Sequence, residues 1–372
     1  MPAHSQSRSR TDVAAVLLIA FMLAALLAPA LAASNAKGDK TQCMNRMRDL
    51  VIALQNAHDT YGAFPLASTQ PLDHPPGTAG EKPSGYSWLT RLLPFMEQQV
   101  LYNHLANAKR SNKLRVPPFD PVVMTIDEKT SRAVMAEPVP AFVCPIFIGG
   151  PTVTDAAPEY AALAADTRPA VTTYHATAGS HFFNTDGLGR MIAPEQLGNF
   201  AYEGNGIIAF PGKVGDKLVV KGHGLRSVSD GTSKTFFITE SNEQAYAAWI
   251  DGQTTWVVSA WPNNPDVPTP QVADTPQPVL GWPAEQLSNN KVTPGAQKDI
   301  GAKDEPPIYL PLGRWTGKAA RTWGASSNHP EGIGHGFADG HVAMLARDID
   351  PVVYLHLTTR NGREVIDQDA IK

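Results

Sequence analysis

Hydrophobic residues recur at three- and four-residue spacing between positions 42 and 58. They are Met44, Met47, Leu50, Val51, Leu54 and Ala57. This spacing places apolar side chains on one face of an α-helix, so the segment predicts an amphipathic helix that packs on a core. Gly62 and Pro65 follow it as stop signals. A second helical region at 87–102 contains Pro94, which suits the first turn of a new helix and predicts two short helices.

The pattern changes from about residue 139 onward. Short runs of β-branched and aromatic residues, bounded by turn residues, predict strands at 141–144, 171–176, 206–210, 217–221, 235–239 and 254–259. Residues 262–313 are rich in proline, asparagine and aspartate without a sustained period, which predicts a long surface loop. A disordered insert and a binding loop both remain open for it. Helices followed by strands predict the α+β class.

Two of the Asp-Gly pairs predict tight turns. Asp230-Gly231 precedes the predicted strand 235–239, and Asp339-Gly340 lies between two apolar segments as in a hairpin with a two-residue loop. That loop would place Phe337 opposite Val342 and His335 opposite Met344. The small residues Gly334, Gly336, Ala338 and Ala343 would then share one face, where another element could approach closely.

The N-terminus predicts export. Arg8 and Arg10 precede an apolar run from Val13 to Leu27, and Ala30-Leu31-Ala32 fits the small-x-small cleavage rule. We therefore expect a signal peptide over residues 1–32 and a single extracytoplasmic domain over residues 33–372. An uncut membrane anchor is the alternative, because the apolar segment is long enough to span a bilayer.

The chain has two cysteines, Cys43 and Cys144. In an oxidising compartment, an even number of cysteines favours a disulfide, and two buried thiols are the alternative. At 372 residues and 42% hydrophobic content the chain can bury a substantial core. Its formal net charge of −4, without a basic block, argues against a nucleic-acid partner.

Five sequence blocks, in order, resemble one family. They are 42–65, 87–102, 142–145, 229–240 and 326–345. The last contains His329 and, after nine residues, Asp339-Gly340, and the set is similar to a planctomycete family of unknown function whose members begin like type IV prepilins. The resemblance implies a pilin-like amphipathic helix packed on an antiparallel sheet, in an exported protein of the cell envelope. The chain departs from that family at Ser7-Arg-Ser-Arg-Thr-Asp12, which lacks the glycine and phenylalanine of a prepilin processing signal.

A metal site is one candidate, because His329, His335, Asp339 and His341 lie close together in sequence. The expected hairpin register puts His335 and His341 on opposite faces, so we predict no metal site. Calcium at the Asp-Gly pairs, including Asp186-Gly187, is not supported by EF-hand spacing.

Catalytic and cofactor motifs are absent from the sequence: it has no Gly-x-Ser-x-Gly elbow and no phosphate-binding loop, so we predict neither an enzyme nor a cofactor. The carboxylates Glu240 and Glu243 could form a glycosidase pair only if the fold sets their separation.

The function that we predict is a non-catalytic, pseudopilin-related envelope protein. It would act through contacts with envelope or secretion-system proteins, or with itself. The alternative is a carbohydrate- or solute-binding module that uses tryptophans of the second half, namely Trp249, Trp256, Trp261, Trp282, Trp315 and Trp323. A secreted hydrolase is the third possibility. We interpret His329, Asp339-Gly340 and Asp230-Gly231 as structural, and expect replacement of Asp339 or Gly340 to impair folding more than His329→Ala.

Overall fold

The computed structural model describes most of the chain between residues 10 and 366. The described residues are 10–69, 85–107, 114, 118–119, 126–127, 132–154, 160, 163–164, 166–177, 179, 206–208, 211–214, 217–219, 222–242, 244, 247–252, 254–257, 325–346, 349, 351–362 and 366. The predicted loop at 262–313 lies outside them.

Helices dominate the first third of the described chain and strands follow. The α-helices are α1 (Arg10–Tyr61), α2 (Trp88–Leu92), α3 (Gln99–Asn107) and α4 (Pro351–His356). Short 3₁₀-helices cover Leu93–Phe95, Val134–Ala136, Pro140–Phe142 and Leu225–Ser227. The strands are β1 (Ile126–Asp127), β2 (Arg132–Ala133), β3 (Tyr174–Thr177), β4 (Gly212–Val214), β5 (Lys217–Val219), β6 (Phe236–Glu240), β7 (Trp256–Val257), β8 (Ile333–Phe337) and β9 (Val342–Leu345).

The chain divides into two compact units, Met1–Gln42 and Cys43–Lys372. In the first unit, α1 exposes a run of apolar side chains, namely Leu17, Leu18, Ile19, Phe21 and Met22. Across the described residues, no helix combines the length and apolar character that a bilayer crossing requires.

The second unit contains a five-stranded sheet with the order β7-β3-β6-β8-β9. Neighbouring strands are antiparallel except for β3 and β7, which pair in parallel through Ala176 opposite Trp256. The α+β class is confirmed, but the expectation of an antiparallel sheet is wrong at this edge. After β6 the chain reverses and enters β7 on the far side of β3, so β7 runs in the same direction as β3.

The predicted amphipathic helix forms the C-terminal part of α1. Its buried residues include Cys43, Met47, Leu50, Val51, Leu54 and Ala57. A Cβ atom at Gly336 would lie 2.6 Å from Val51 Cγ2, and one at Gly334 would lie 3.1 Å from Met47 Cε. The helix therefore packs directly on β8 where that strand has no side chains, as the small residues at these positions predicted.

The hairpin of β8 and β9 forms, but its expected register is wrong by one residue. Gly336 pairs with Val342 and His335 with Ala343, and the Phe337 amide donates to the His341 carbonyl. The loop is thus Ala338-Asp339-Gly340, and Gly340 has a φ of 106°. Loops of three residues are commonly closed by a glycine of positive φ.

The corrected register also changes the faces of the hairpin. Because residues 335, 337, 341 and 343 pair directly opposite one another, His335 and His341 lie on the same face rather than on opposite faces. The Phe337 and His341 rings stack there, with centroids 4.2 Å apart. The strand expected at 141–144 is also wrong, since Pro140–Phe142 forms a 3₁₀-helix. Proline at the start of that segment fits a helical turn and removes a ladder donor.

Candidate functional site

Cys43 and Cys144 form a disulfide that joins α1 to the segment after the 3₁₀-helix Pro140–Phe142. Their Cα atoms are 4.9 Å apart, and 101 residues separate them in sequence. Both residues are buried. The expected disulfide is therefore present, and it connects the amphipathic helix to the strand-rich part of the chain.

Two buried polar side chains lie beside the disulfide. His329 Nε2 is 3.5 Å from Cys144 Sγ and 3.6 Å from Glu240 Oε1. Both Glu240 and His329 are only 2% exposed. We call Cys43, Cys144, Glu240 and His329 the clamp. Its four ligand-type atoms all lie within 4.8 Å of one another.

Glu240 is held at the end of β6 with its two carboxylate oxygens in different roles. Oε2 accepts a hydrogen bond of 3.1 Å from the Gly334 amide. Oε1 faces His329 and accepts no hydrogen bond from any described residue. A buried carboxylate oxygen without a hydrogen bond is costly, and the His329 imidazole is its polar neighbour at 3.6 Å.

His329 is positioned by backbone and side-chain hydrogen bonds of the segment that precedes β8. The Ser326 amide donates to the Glu240 carbonyl, and Ser326 Oγ accepts from the Asn242 amide. The Asn328 side chain accepts from Asn242 Nδ2 and donates to the Ile146 carbonyl, with both distances 3.0 Å. This segment is therefore tied to the end of β6 and to the loop that carries Cys144.

Cys144 and Cys43 are fixed by groups around the start of β3. The Cys144 amide donates to Thr173 Oγ1 at 2.6 Å, and Tyr174 Oη donates to the Cys43 carbonyl at 3.0 Å. The Arg46 guanidinium donates to the Val143 carbonyl, which adds a second link between α1 and this loop.

The surroundings of Tyr174 keep its hydroxyl protonated. Burial raises its pKa well above the ordinary value, and the negative charges of Glu240 and Asp49 raise it further against the opposing charge of Arg46. A neutral phenol remains a hydrogen-bond donor. Tyr174 therefore supports the helix backbone at Cys43 over the whole physiological pH range.

The Asp-Gly pairs have structural roles away from the clamp. Asp339 Oδ1 accepts from the His341 amide at 3.1 Å and contacts His341 Nδ1 at 2.6 Å. The Asp339 amide donates to the Thr232 carbonyl, so the hairpin loop rests on the neighbouring turn. In that turn Gly231 has a φ of 103°, and Asp230 Oδ2 accepts from the Gly362 amide at 2.6 Å. The turn predicted at Asp230-Gly231 thus connects β6 to the C-terminal segment.

His335 lies in a separate buried network on the sheet face opposite the helix. Its Nδ1 donates to the Ile333 carbonyl, and its Nε2 accepts from Tyr354 Oη, both at 2.9 Å. Burial lowers the pKa of His335 to about 4, against the smaller raising effects of the Ile333 hydrogen bond and of Glu240. His335 is therefore neutral at physiological pH.

Of the four residues suspected from the sequence to form a metal site, Asp339 and His341 contact each other, whereas His329 and His335 lie apart from them and from one another. His335 bonds to Tyr354 and His341 to Asp339, while His329 joins Glu240 and the disulfide. Sequence reasoning missed the association of Glu240 and Cys144 with His329. The available signal was that Glu240 and Cys144 each end a short apolar run within a block that resembles the family.

Two of the six candidate tryptophans lie among the described residues. Trp249 and Trp256 are fully buried, which excludes ring stacking on a glycan at these two positions without unfolding. The remaining candidates lie outside the described residues: Asp186-Gly187, Glu243, Trp261, Trp282, Trp315 and Trp323.

Residues 40–352 match the family described as a protein of unknown function, DUF1559, whose short name is SBP_bac_10. No curated protein and no solved structure matches the chain. The expected membership of a family of unknown function is confirmed, whereas its relation to prepilins stays a prediction. The matched segment contains all four residues of the clamp, both Asp-Gly turns and the five-stranded sheet, and the chain belongs to the DUF1559 family.

Proposed function

We propose that this protein is a non-catalytic, exported envelope protein that acts through contacts with other proteins. The observation that carries the proposal is the clamp. A disulfide between Cys43 and Cys144 is typical of oxidising compartments outside the cytoplasm. Closing a loop of this length stabilises the fold by about 4–5 kcal/mol in the chain-entropy model.

The burial of polar residues from the five sequence blocks supports a scaffold role. Cys43, Cys144, Glu240 and His329 come from four of the five blocks, and all of them are buried between α1 and the loops around the sheet. Residues that act on a substrate need access to it, whereas these four contact one another. Such an arrangement favours a rigid body that presents its surface to partners.

The apolar surface at the N-terminus supports export or assembly. Leu17 and Phe21 on α1 are 65% and 75% exposed. Exposed apolar side chains in a row usually become covered by a membrane, a targeting receptor or another protein. We propose envelope or secretion-system proteins, or further copies of the chain, as the partners, in agreement with the relation to pseudopilins implied by the sequence.

The proposal is tested in the native cells with a full-length chain that carries a C-terminal tag. We expect the protein in the envelope or secreted fraction, with Cys43 and Cys144 protected from alkylation until a reductant is added. In-cell crosslinking and mass spectrometry should then identify protein partners and the mature N-terminus together.

The matched control is the same chain without residues 2–32, which should stay in the cytosol with alkylatable thiols. A full-length chain that is cytosolic and reduced contradicts the proposal. A saturable thermal shift with a sugar or other small solute would favour the binding-module alternative instead, and turnover of envelope polysaccharide would favour a hydrolase.

A further inference from the structure

We propose that reduction of the disulfide converts the clamp into a four-ligand site for a divalent metal ion of the zinc type. The two cysteine sulfurs, His329 Nε2 and Glu240 Oε1 would be the ligands. This inference goes beyond the proposed function and does not depend on it.

The distances among the ligand atoms support a tetrahedral site. Zinc bonds of about 2.0–2.3 Å place neighbouring ligand atoms of a tetrahedron roughly 3.3–3.8 Å apart. His329 Nε2 lies 3.5 Å from Cys144 Sγ and 3.6 Å from Glu240 Oε1, so two edges of such a tetrahedron already exist. When the disulfide opens, rotation of each thiol about its Cα–Cβ bond can separate the sulfurs toward the remaining edges.

The ligand types and their burial point to the same class of ion. Zinc binds a set of two thiolates and one imidazole nitrogen more readily than magnesium or calcium does. A carboxylate oxygen completes the four ligands. An observation that is independent of the ligand types concerns the carboxylate oxygen Glu240 Oε1. It belongs to a residue that is 2% exposed, points to His329 and accepts no hydrogen bond from the described residues.

The groups around the site hold its ligands without help from the disulfide. The Gly334 amide binds Glu240 Oε2 and so directs Oε1 toward His329. A Cβ atom at Gly334 would lie 3.1 Å from Glu240 Cδ, so glycine leaves the space that the carboxylate uses. Thr173 holds the Cys144 backbone in the same manner. Outer contacts of this kind orient metal ligands and strengthen binding.

The two states of the clamp exclude each other chemically. A dithiol reductant transfers two electrons and two protons to the Cys43–Cys144 bond, which gives two thiols while the reductant becomes a disulfide. Binding of the ion then releases one proton from each thiol to solvent. In the reverse direction a disulfide oxidant accepts two electrons from the thiolates and two protons from solvent and becomes a dithiol. The Cys43–Cys144 bond then forms again, which removes two of the four ligands, so the metal leaves.

The test uses the purified full-length chain, reduced with dithiothreitol, desalted without oxygen and titrated with Co(II) as a spectroscopic probe for Zn(II). We expect one Co(II) per reduced chain, with the visible bands of a tetrahedral centre and thiolate charge-transfer absorption that Zn(II) displaces. The oxidised chain should show neither signal.

Variants identify the ligands. Glu240→Gln and His329→Ala should each weaken Co(II) binding by more than about 100-fold, which is the upper range for loss of a group that only supports a ligand. Cys43→Ala should reduce the charge-transfer absorption by half or more. His341→Ala, an exposed histidine on the same hairpin, is the matched control and should bind Co(II) like the wild type.

Two outcomes overturn the proposal. One is a reduced chain that binds no Co(II), including a chain that loses its fold and is not restored by the metal, as judged by circular dichroism. The other is Co(II) binding that both Glu240→Gln and His329→Ala leave unchanged.

Discussion

The two ends of the block at 326–345 differ in what surrounds them. His329, at one end, is 2% exposed and lies between the disulfide and Glu240. Asp339 and Gly340, at the other end, form the solvent-facing part of their loop, and nothing beyond the chain neighbours lies within 4 Å of a Cβ built on Gly340. One sequence motif thus combines a core contact with a surface turn. Its parts should respond very differently to substitution.

The largest loss of stability is expected from substitution of His329, at the buried end of the block. His329→Ala should lower the free energy of unfolding by about 3 kcal/mol, because it leaves Glu240 buried without its imidazole partner. Urea unfolding with the disulfide intact measures this loss. His329→Gln, which keeps a hydrogen-bonding side chain of similar reach, should lose less. If His329→Ala cost no more than a substitution in the exposed loop, the contact between His329 and Glu240 would have no stabilising role.

This expectation reverses the order that the sequence suggested. The motif alone predicts the larger folding defect at Asp339 and Gly340, because an Asp-Gly turn has an evident local mechanism. The importance of His329 depends on Glu240 and Cys144, and Cys144 is 185 residues away from it. Sequence spacing does not report distance across such a span, so the cluster appears only when the chain is folded.

The register of the hairpin is also set by contacts that sequence spacing does not report, although its residues are close in sequence. The sequence predicted the hairpin and its glycine correctly, and likewise the helix at 42–58 and the disulfide. It did not predict that Ala338 leaves the ladder. The Ala338 amide donates to the Thr235 carbonyl, and its own carbonyl accepts from the Gln55 side chain. These tertiary contacts select a three-residue loop, whereas Asp-Gly by itself is compatible with a two-residue one.

The next largest effect is the pH dependence of stability that buried His335 causes. The pKa of His335 is about 4 in the folded chain and 6.5 when unperturbed. As the pH falls below 6.5, the unfolded chain binds a proton that the folded chain does not, so stability decreases until the pH reaches the folded value. The expected loss between pH 7 and pH 5 is roughly 2 kcal/mol.

Urea unfolding of His335→Gln at the two pH values checks this contribution, because the variant should lack that part of the pH dependence. Thr239→Val is the matched control. Thr239 is buried directly opposite His335 but does not titrate, so its loss should be the same at both pH values. Equal pH dependence in the wild type and His335→Gln would show that His335 does not resist protonation in the fold.

The smallest effect is expected in the exposed loop. Gly340→Ala should cost about 1 kcal/mol, because a φ of 106° strains a residue with a Cβ atom although nothing nearby obstructs it. Gly336→Ala tests the same substitution under the helix, where the new Cβ would lie 2.6 Å from both Val51 and Ile238. It should cost more than Gly340→Ala, because two packed elements must move apart. Thermal unfolding compares the two variants directly. If Gly340→Ala proved the more harmful, the backbone of the turn, rather than the contact of helix and sheet, would limit the stability of this hairpin.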